Sequence, residues 1–351
     1  MIPAIRTLSQ QLVNPLFTTP RELVSWMGAV QAQDYNMSKW AIGARLAAST
    51  ISDVENALKK GEILRTHVMR PTWHLVAAED IRWMLELCRE RLKASCASRD
   101  KYLEIDEKLF CKANSLIVKM LEGNNHLTRQ EIATGLVKAG IAVDVSRMMH
   151  FMLRAEVEGI VCSGIDKGKK QTYSLIDERV APTKKLQRDE ALALLATKYF
   201  KSHSPASIQD FTWWSGLSSA DSKLSINLIK HDLYEEPFGE LTLYVHKSYN
   251  IGTRLSDYAC LLPAFDEYLI SYKDRTAVID IKHQPKAFTK NGIFSPIVMF
   301  NGKIIGTWNK QVRKETISVE ILPFEDKLKI NKDFLKKAEN KYLLFHSLPT
   351  K

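Results

Sequence analysis

Cysteine is scarce and unpatterned. Cys88, Cys96, Cys111, Cys162 and Cys260 are odd in number and show no C-x-x-C spacing. That excludes a disulfide scaffold and a zinc ribbon, and it points to a reduced cytosolic setting. Long apolar runs are missing as well: no uncharged stretch approaches the ~20 residues needed to cross a bilayer, so no membrane association is expected. The opening MIPAIRTLSQQLV carries an early Arg6 and no apolar block ending in small residues, which argues against a secretory signal. Phosphate-cradling loops of the G-x-x-x-x-G-K-[ST] and G-x-G-x-x-G kinds are absent, as are H-E-x-x-H and G-x-S-x-G. The nine histidines show no metal-ligand spacing. Any chemistry is therefore expected to need no nucleotide, no metal and no other cofactor.

What remains is ordinary globular composition, with 45% hydrophobic and 26% charged residues, which excludes disorder and low complexity. The 351 residues suffice for roughly two to four cored units. The balance of 50 Lys+Arg against 40 Asp+Glu gives a net charge of +10. A basic chain of this kind suits a polyanionic partner, because each neutralised phosphate releases condensed counterions.

Three segments repeat one pattern. TPRELVSWMGAV (19–30) precedes SKWAIGARLAA (38–48); TRQEIATGLVKAG (128–140) precedes DVSRMMHFMLRAEVEG (144–159); SPASIQDFTWWSGL (204–217) precedes SSADSKLSINLIKH (218–231). Thr19 with Glu22 and Thr128 with Glu131 are capping boxes, so each segment reads as a helix, a short turn and a second amphipathic helix. Hairpins follow: residues 62–70 with 72–77 turned at Pro71, residues 159–164 with 171–176 around IDKGKK, and at least one strand at 240–245. Helix-turn-helix plus β-hairpin is a winged helix. Beyond residue 250 the texture becomes strands and turns, with a type I′ signal at Asn301-Gly302 and a closing amphipathic helix over 332–346. The predicted fold is α+β: three tandem winged-helix units (1–100, 101–185 and 186–250), then a small antiparallel β-barrel or sheet with its closing helix (251–351).

The segments VQAQDY (30–35), LRTHVMRPTWHLVAAED (64–80), LLPAFDEYLISYKDR (261–275) and NGKIIGTW (301–308) occur together in that order. With them the chain resembles the AlkZ-like family of bacterial winged-helix DNA glycosylases over nearly its whole length. The resemblance implies a monofunctional DNA repair glycosylase without cofactor. Such an enzyme excises bulky or cationic N7-alkylated purines from double-stranded DNA, interstrand crosslinks included. It also implies that the family's glutamine–apolar–glutamine motif falls on Gln31-Ala32-Gln33, making Gln31 and Gln33 the catalytic pair. An N7-alkylguanine is already cationic and leaves without protonation, so two neutral amides suffice if they place a water against the anomeric carbon. Residues i and i+2 share a face only in extended chain, so the motif requires the helix to end near Gln31.

Arg65, Arg70, Thr72 and His74 match the family's pattern around the first hairpin and suit phosphate or minor-groove contact, with internal ion pairs as the alternative for the arginines. Lys167, Lys169 and Lys170 load the second hairpin's tip, where there is little to pack against. Lys273 and Arg275 offer DNA contacts from the C-terminal unit, with Asp274 between them as a local ion-pair partner. Trp213-Trp214 reads as core, and Asp34 as the cap of the next helix. The expected setting is a monomer acting on nucleoid DNA in a bacterial cytoplasm. The rival reading is a winged-helix regulator or architectural protein without chemistry; three tandem copies argue against the usual one-reader-plus-effector layout.

Overall fold

A computed structural model describes residues 1–250, 252, 254–313, 316–325 and 331–347. Helix α1 (Ile2–Ser9) precedes the first of three copies of one element order: helix, two-residue strand, helix, helix, hairpin. The first copy comprises α2 (Pro20–Met27), β1 (Val30–Gln31), α3 (Tyr35–Gly43), α4 (Ile51–Lys60), β2 (Ile63–His67) and β3 (Trp73–Ala77). A long helix, α5 (Ala78–Tyr102), leads to the second. Its elements are α6 (Glu107–Leu121), β4 (Leu127–Thr128), α7 (Arg129–Lys138), α8 (Val145–Val157), β5 (Val161–Ser163) and β6 (Thr172–Leu175). After the single turn α9 (Ile176–Arg179), the third runs through α10 (Arg188–His203), β7 (Ala206–Ser207), α11 (Ile208–Ser215), α12 (Ser219–Leu228), β8 (Leu233–Phe238) and β9 (Leu241–His246). Each copy closes a three-stranded antiparallel sheet in which the short strand flanks the hairpin's second strand: β1-β3-β2, β4-β6-β5 and β7-β9-β8.

The capping boxes predicted at Thr19/Glu22 and Thr128/Glu131 form, and further boxes start α4 (Thr50/Asp53) and α11 (Ser207/Asp210). They also explain a frame error in the first repeat. The helix pair equivalent to α7–α8 and α11–α12 is α3–α4, not α2 followed by residues 38–48. Because Val30–Gln31 pairs with β3, α2 takes the place of α6 and α10. A capping box marks any helix start, so it cannot say which helix of a repeat it opens.

In the C-terminal segment the sheet alternative holds and the barrel does not. Strands β10 (Ala259–Leu262), β11 (Ile297–Phe300), β12 (Lys303–Arg313) and β13 (Thr316–Pro323) form an open antiparallel sheet in that order, and among the described residues no barrel closes. Residues 263–287 are not strand: they hold the short helices α13 (Glu267–Ile270) and α14 (Gln284–Ala287). The Asn301-Gly302 turn does form, with both φ angles positive (48° and 75°), as type I′ requires. The closing helix α15 spans Lys332–His346.

One apolar cluster runs through α2–α4, the sheet β10–β13 and α15, so residues of the first repeat and of the C-terminal segment share a core. A second joins α5 to the third repeat, and a third belongs to the second repeat. Gly216, ending α11 at φ 67°, marks a close approach: a Cβ there would lie 2.5 Å from the Met69 carbonyl oxygen. That contact sets the third repeat against the turn of the first hairpin. Among the described residues no helix is long and apolar enough to cross a membrane.

Candidate active site

The chain leaves helix α2 at Met27, and Val30–Gln31 is already extended. The helix therefore ends before Gln31, but the strand stops at Gln31, so the shared face of an extended run does not reach Gln33. Gln31 pairs with His74, which pairs on its other side with Thr66, so these three side chains form one row across the sheet. The row faces the cluster that holds α10 and α11, with Tyr199, His203 and Trp214. Gln31 is buried, whereas Gln33 lies exposed at the bend before α3. Asp34 caps α3, accepting from the Asn36 and Met37 N–H groups.

Buried polar atoms without a protein partner gather here: Gln31 Oε1, Thr66 Oγ1, Thr72 Oγ1, His74 Nε2, and Nε and Nη2 of Arg70. Natural interiors leave few such atoms, and six of them meet on this hairpin and the short strand beside it. His74 Nδ1 lies 2.9 Å from the Thr72 carbonyl, which can only accept, so Nδ1 carries the proton and Nε2 presents a lone pair. Burial, reinforced by the nearby Arg70 charge, lowers the His74 pKa to about 3, which keeps the ring neutral.

Behind this row stands Glu267, which lies within the segment LLPAFDEYLISYKDR but is not singled out there as a site residue. Its Oε1 accepts the Gln31 N–H at 2.6 Å, and its Oε2 accepts from Trp214 Nε1 at 3.2 Å and from the Ser271 hydroxyl. Burial pushes this carboxyl up, but the adjacent His203, the Ser271 hydroxyl and the Gln31 N–H together bring it down to about 2. Its neighbour Asp266 is gripped by both terminal nitrogens of the buried Arg45, at 2.8 and 2.7 Å. The available signal was the pair Asp266-Glu267 inside the apolar run LLPAF-DE-YLISY, because two buried acids require partners.

Arg65 is buried, and its guanidinium is occupied. It donates to the Ala32 carbonyl from Nε (3.2 Å) and Nη2 (2.9 Å) and to Gln171 (2.5 Å), and it stacks on Trp73. Its backbone N–H reaches Ser163, so the first hairpin is tied to the second. Arg70 lies at the hairpin turn near the half-exposed ring of Trp213, while Trp214 is core. On the second hairpin Lys167 pairs with Glu131 at 2.9 Å, and Lys169 and Lys170 are exposed. A groove of about 510 Å³ between α4 and this hairpin is lined by Tyr35, Lys39, Lys59, Asp166 and Lys169. Lys273 is exposed. Arg275 donates to the Leu269 carbonyl (2.8 Å) and lies against Phe288 and Phe294. Among the described residues no three His, Cys, Asp or Glu side chains stand close enough to hold a metal ion.

The family model described as DNA glycosylase AlkZ-like matches residues 24–342. The chain belongs to the AlkZ-like DNA glycosylase family. Within that family it is 24% identical, over 87% of its length and 85% of the relative's, to an interstrand DNA cross-link repair glycosylase of Streptomyces sahachiroi. Its fold is also that of the solved DNA glycosylase AlkZ from the same organism. The TM-score is 0.80 at 20% identity, covering 98% of this chain and 95% of that one. For this AlkZ-like glycosylase the buried His74 makes a measurable prediction. Unfolded histidine takes up a proton below pH 6.5, but folded His74 does not until about pH 3, so stability falls as pH drops through that window. Urea unfolding at pH 7.5 and pH 5 should show the wild type losing about 2 kcal/mol more than the His74→Gln variant. Equal losses would mean that His74 protonates in the folded state.

Proposed function

We propose that this glycosylase hydrolyses the N-glycosidic bond of cationic N7-alkylated purines in duplex DNA, including those that tether the strands of an interstrand crosslink. Gln31 and Gln33 place the water. The water oxygen bonds to C1′ as the C1′–N9 bond breaks, its electron pair neutralises the purine cation, and the water's surplus proton passes to solvent. An abasic site is left and the strand stays intact, because the nucleophile is water and no amine becomes attached to the sugar. The observation that carries this reading is the fixed path by which Gln31-Ala32-Gln33 leaves strand β1, clamped by Glu267 at the Gln31 N–H and by Arg65 at the Ala32 carbonyl. The relative's activity on interstrand crosslinks supports the substrate class. The protein is expected to act as a monomer on cytoplasmic, nucleoid DNA.

In this reading each repeated unit is a winged helix, and DNA lies on hairpins more than on helices. In α8, the last helix of its repeat, the basic side chains are occupied. Arg147 donates to carbonyl oxygens, His150 faces Asp100, and Arg154 faces Glu107 and Glu158. The third hairpin carries Glu235, Glu236 and Glu240, which repel phosphate. The first two hairpins remain, with Arg70, Thr72 and the exposed Lys169 and Lys170, and with Lys273 from the C-terminal segment, whereas His74 is fully buried and serves inside the site. Arg65 and Arg275 then serve by holding backbone in place.

Duplex DNA carrying N7-methylguanine should yield abasic sites with wild-type protein, and Gln31→Ala or Gln33→Ala should slow excision about 10²-fold without weakening duplex binding. Uracil, a neutral leaving base, should be a poor substrate. Excision by the double mutant at the wild-type rate removes the pair from the active site. Absence of any excision would leave the DNA-binding protein without chemistry. Binding is tested separately: Lys169→Ala with Lys170→Ala should make the plot of log affinity against log salt shallower by roughly 0.9 for each phosphate no longer neutralised. An unchanged slope places the DNA elsewhere.

A further inference from the structure

We propose that Glu267 is a positioning residue of the glycosylase reaction, holding Gln31 in its extended path through the backbone without touching the substrate. The inference rests on the reading of Gln31 as catalytic. Strand β1 has two residues and one neighbour, β3, so a ladder alone fixes it weakly. Its outer N–H, that of Gln31, needs an acceptor off the sheet, and Glu267 supplies it at 2.6 Å. A bond from an N–H to an ionised carboxylate is about twice as strong as a neutral one. Glu267 cannot drift, because Trp214 and Ser271 hold its second oxygen, and Arg45 holds Asp266, the residue before it. On the far side of the motif Arg65 grips the Ala32 carbonyl. The catalytic segment is thus held at one N–H and one C=O by two buried charged side chains, one from the first hairpin and one from the C-terminal segment.

The same carboxylate places a fixed negative charge behind the Gln31–His74–Thr66 row, where Arg70 brings a positive one. Glu267→Gln removes the charge and turns one acceptor into a donor. It can keep the Gln31 bond only by presenting an N–H to the side that Trp214 already fills with its own.

Single-turnover excision of N7-methylguanine at saturating protein, with duplex affinity and melting temperature measured alongside, tests the proposal. Glu267→Gln should lower the maximal rate about 10–100-fold while the half-saturating protein concentration stays within twofold. A structural role alone would move melting temperature and half-saturation and leave the maximal rate of the folded protein unchanged. If Glu267→Gln does not fold, Glu267→Asp keeps the charge and withdraws it by one methylene, and the same fall in maximal rate is expected. Excision at the wild-type rate by a folded Glu267 variant, with Gln31→Ala impaired, overturns the proposal and leaves the function standing. Wild-type excision by Gln31→Ala overturns both.

Discussion

The bond from the Gln31 N–H to Glu267 spans 236 residues of chain, and much of the architecture exists to keep its two ends in place. Asp266, one residue earlier, binds Arg45 through both oxygens. The same guanidinium donates to Gln10 at 2.8 Å, and Gln10 in turn donates to Tyr272 at 3.2 Å. Three fully buried charges therefore meet within two residues of α13. Charges taken out of water cost several kcal/mol each unless they are paired and hydrogen-bonded, so this arrangement tolerates few alternatives. It explains why the first repeat and the C-terminal segment share one apolar cluster: the ion pair lies where they meet, and neither side satisfies its charges alone.

The basic surplus is distributed with a similar logic. A net charge of +10 suggests a uniformly positive face, yet several arginines are engaged inside the protein. Arg65 holds Ala32, Arg275 holds Leu269, and Arg154 faces Glu107 and Glu158. Free positive charge is left on flexible lysine stems at the tip of the second hairpin, while the third hairpin is acidic. Arginine's rigid fork suits fixed internal carbonyl and carboxylate partners, whereas lysine's point charge suits a phosphate backbone met in many registers.

Features governed by neighbours in sequence could be read in advance. The boxes at Thr19 and Thr128, the Asn301-Gly302 turn and helix α15 depend on residues within a few positions of one another. The repeat itself was visible, but its frame in the first copy was not. Thr19 and Thr50 look alike locally, and only the pairing of Val30–Gln31 with β3 decides between them. Sheet closure was equally out of reach, since it depends on which strand edges meet. Glu267 was hidden for the same reason. Its partners Gln31, Trp214 and His203 come from other repeats, and nothing within a short window announces them. Arg65 is singled out in sequence for DNA contact, whereas its occupation by the Ala32 carbonyl appears only in three dimensions.

Whether Glu267 acts through Gln31 is read from a double-mutant cycle on single-turnover excision. If the carboxylate works by holding that residue, Glu267→Gln should slow the Gln31→Ala enzyme by much less than it slows the wild type, giving a double mutant close to Gln31→Ala alone. Penalties that multiply in full would show two independent contributions and contradict the account.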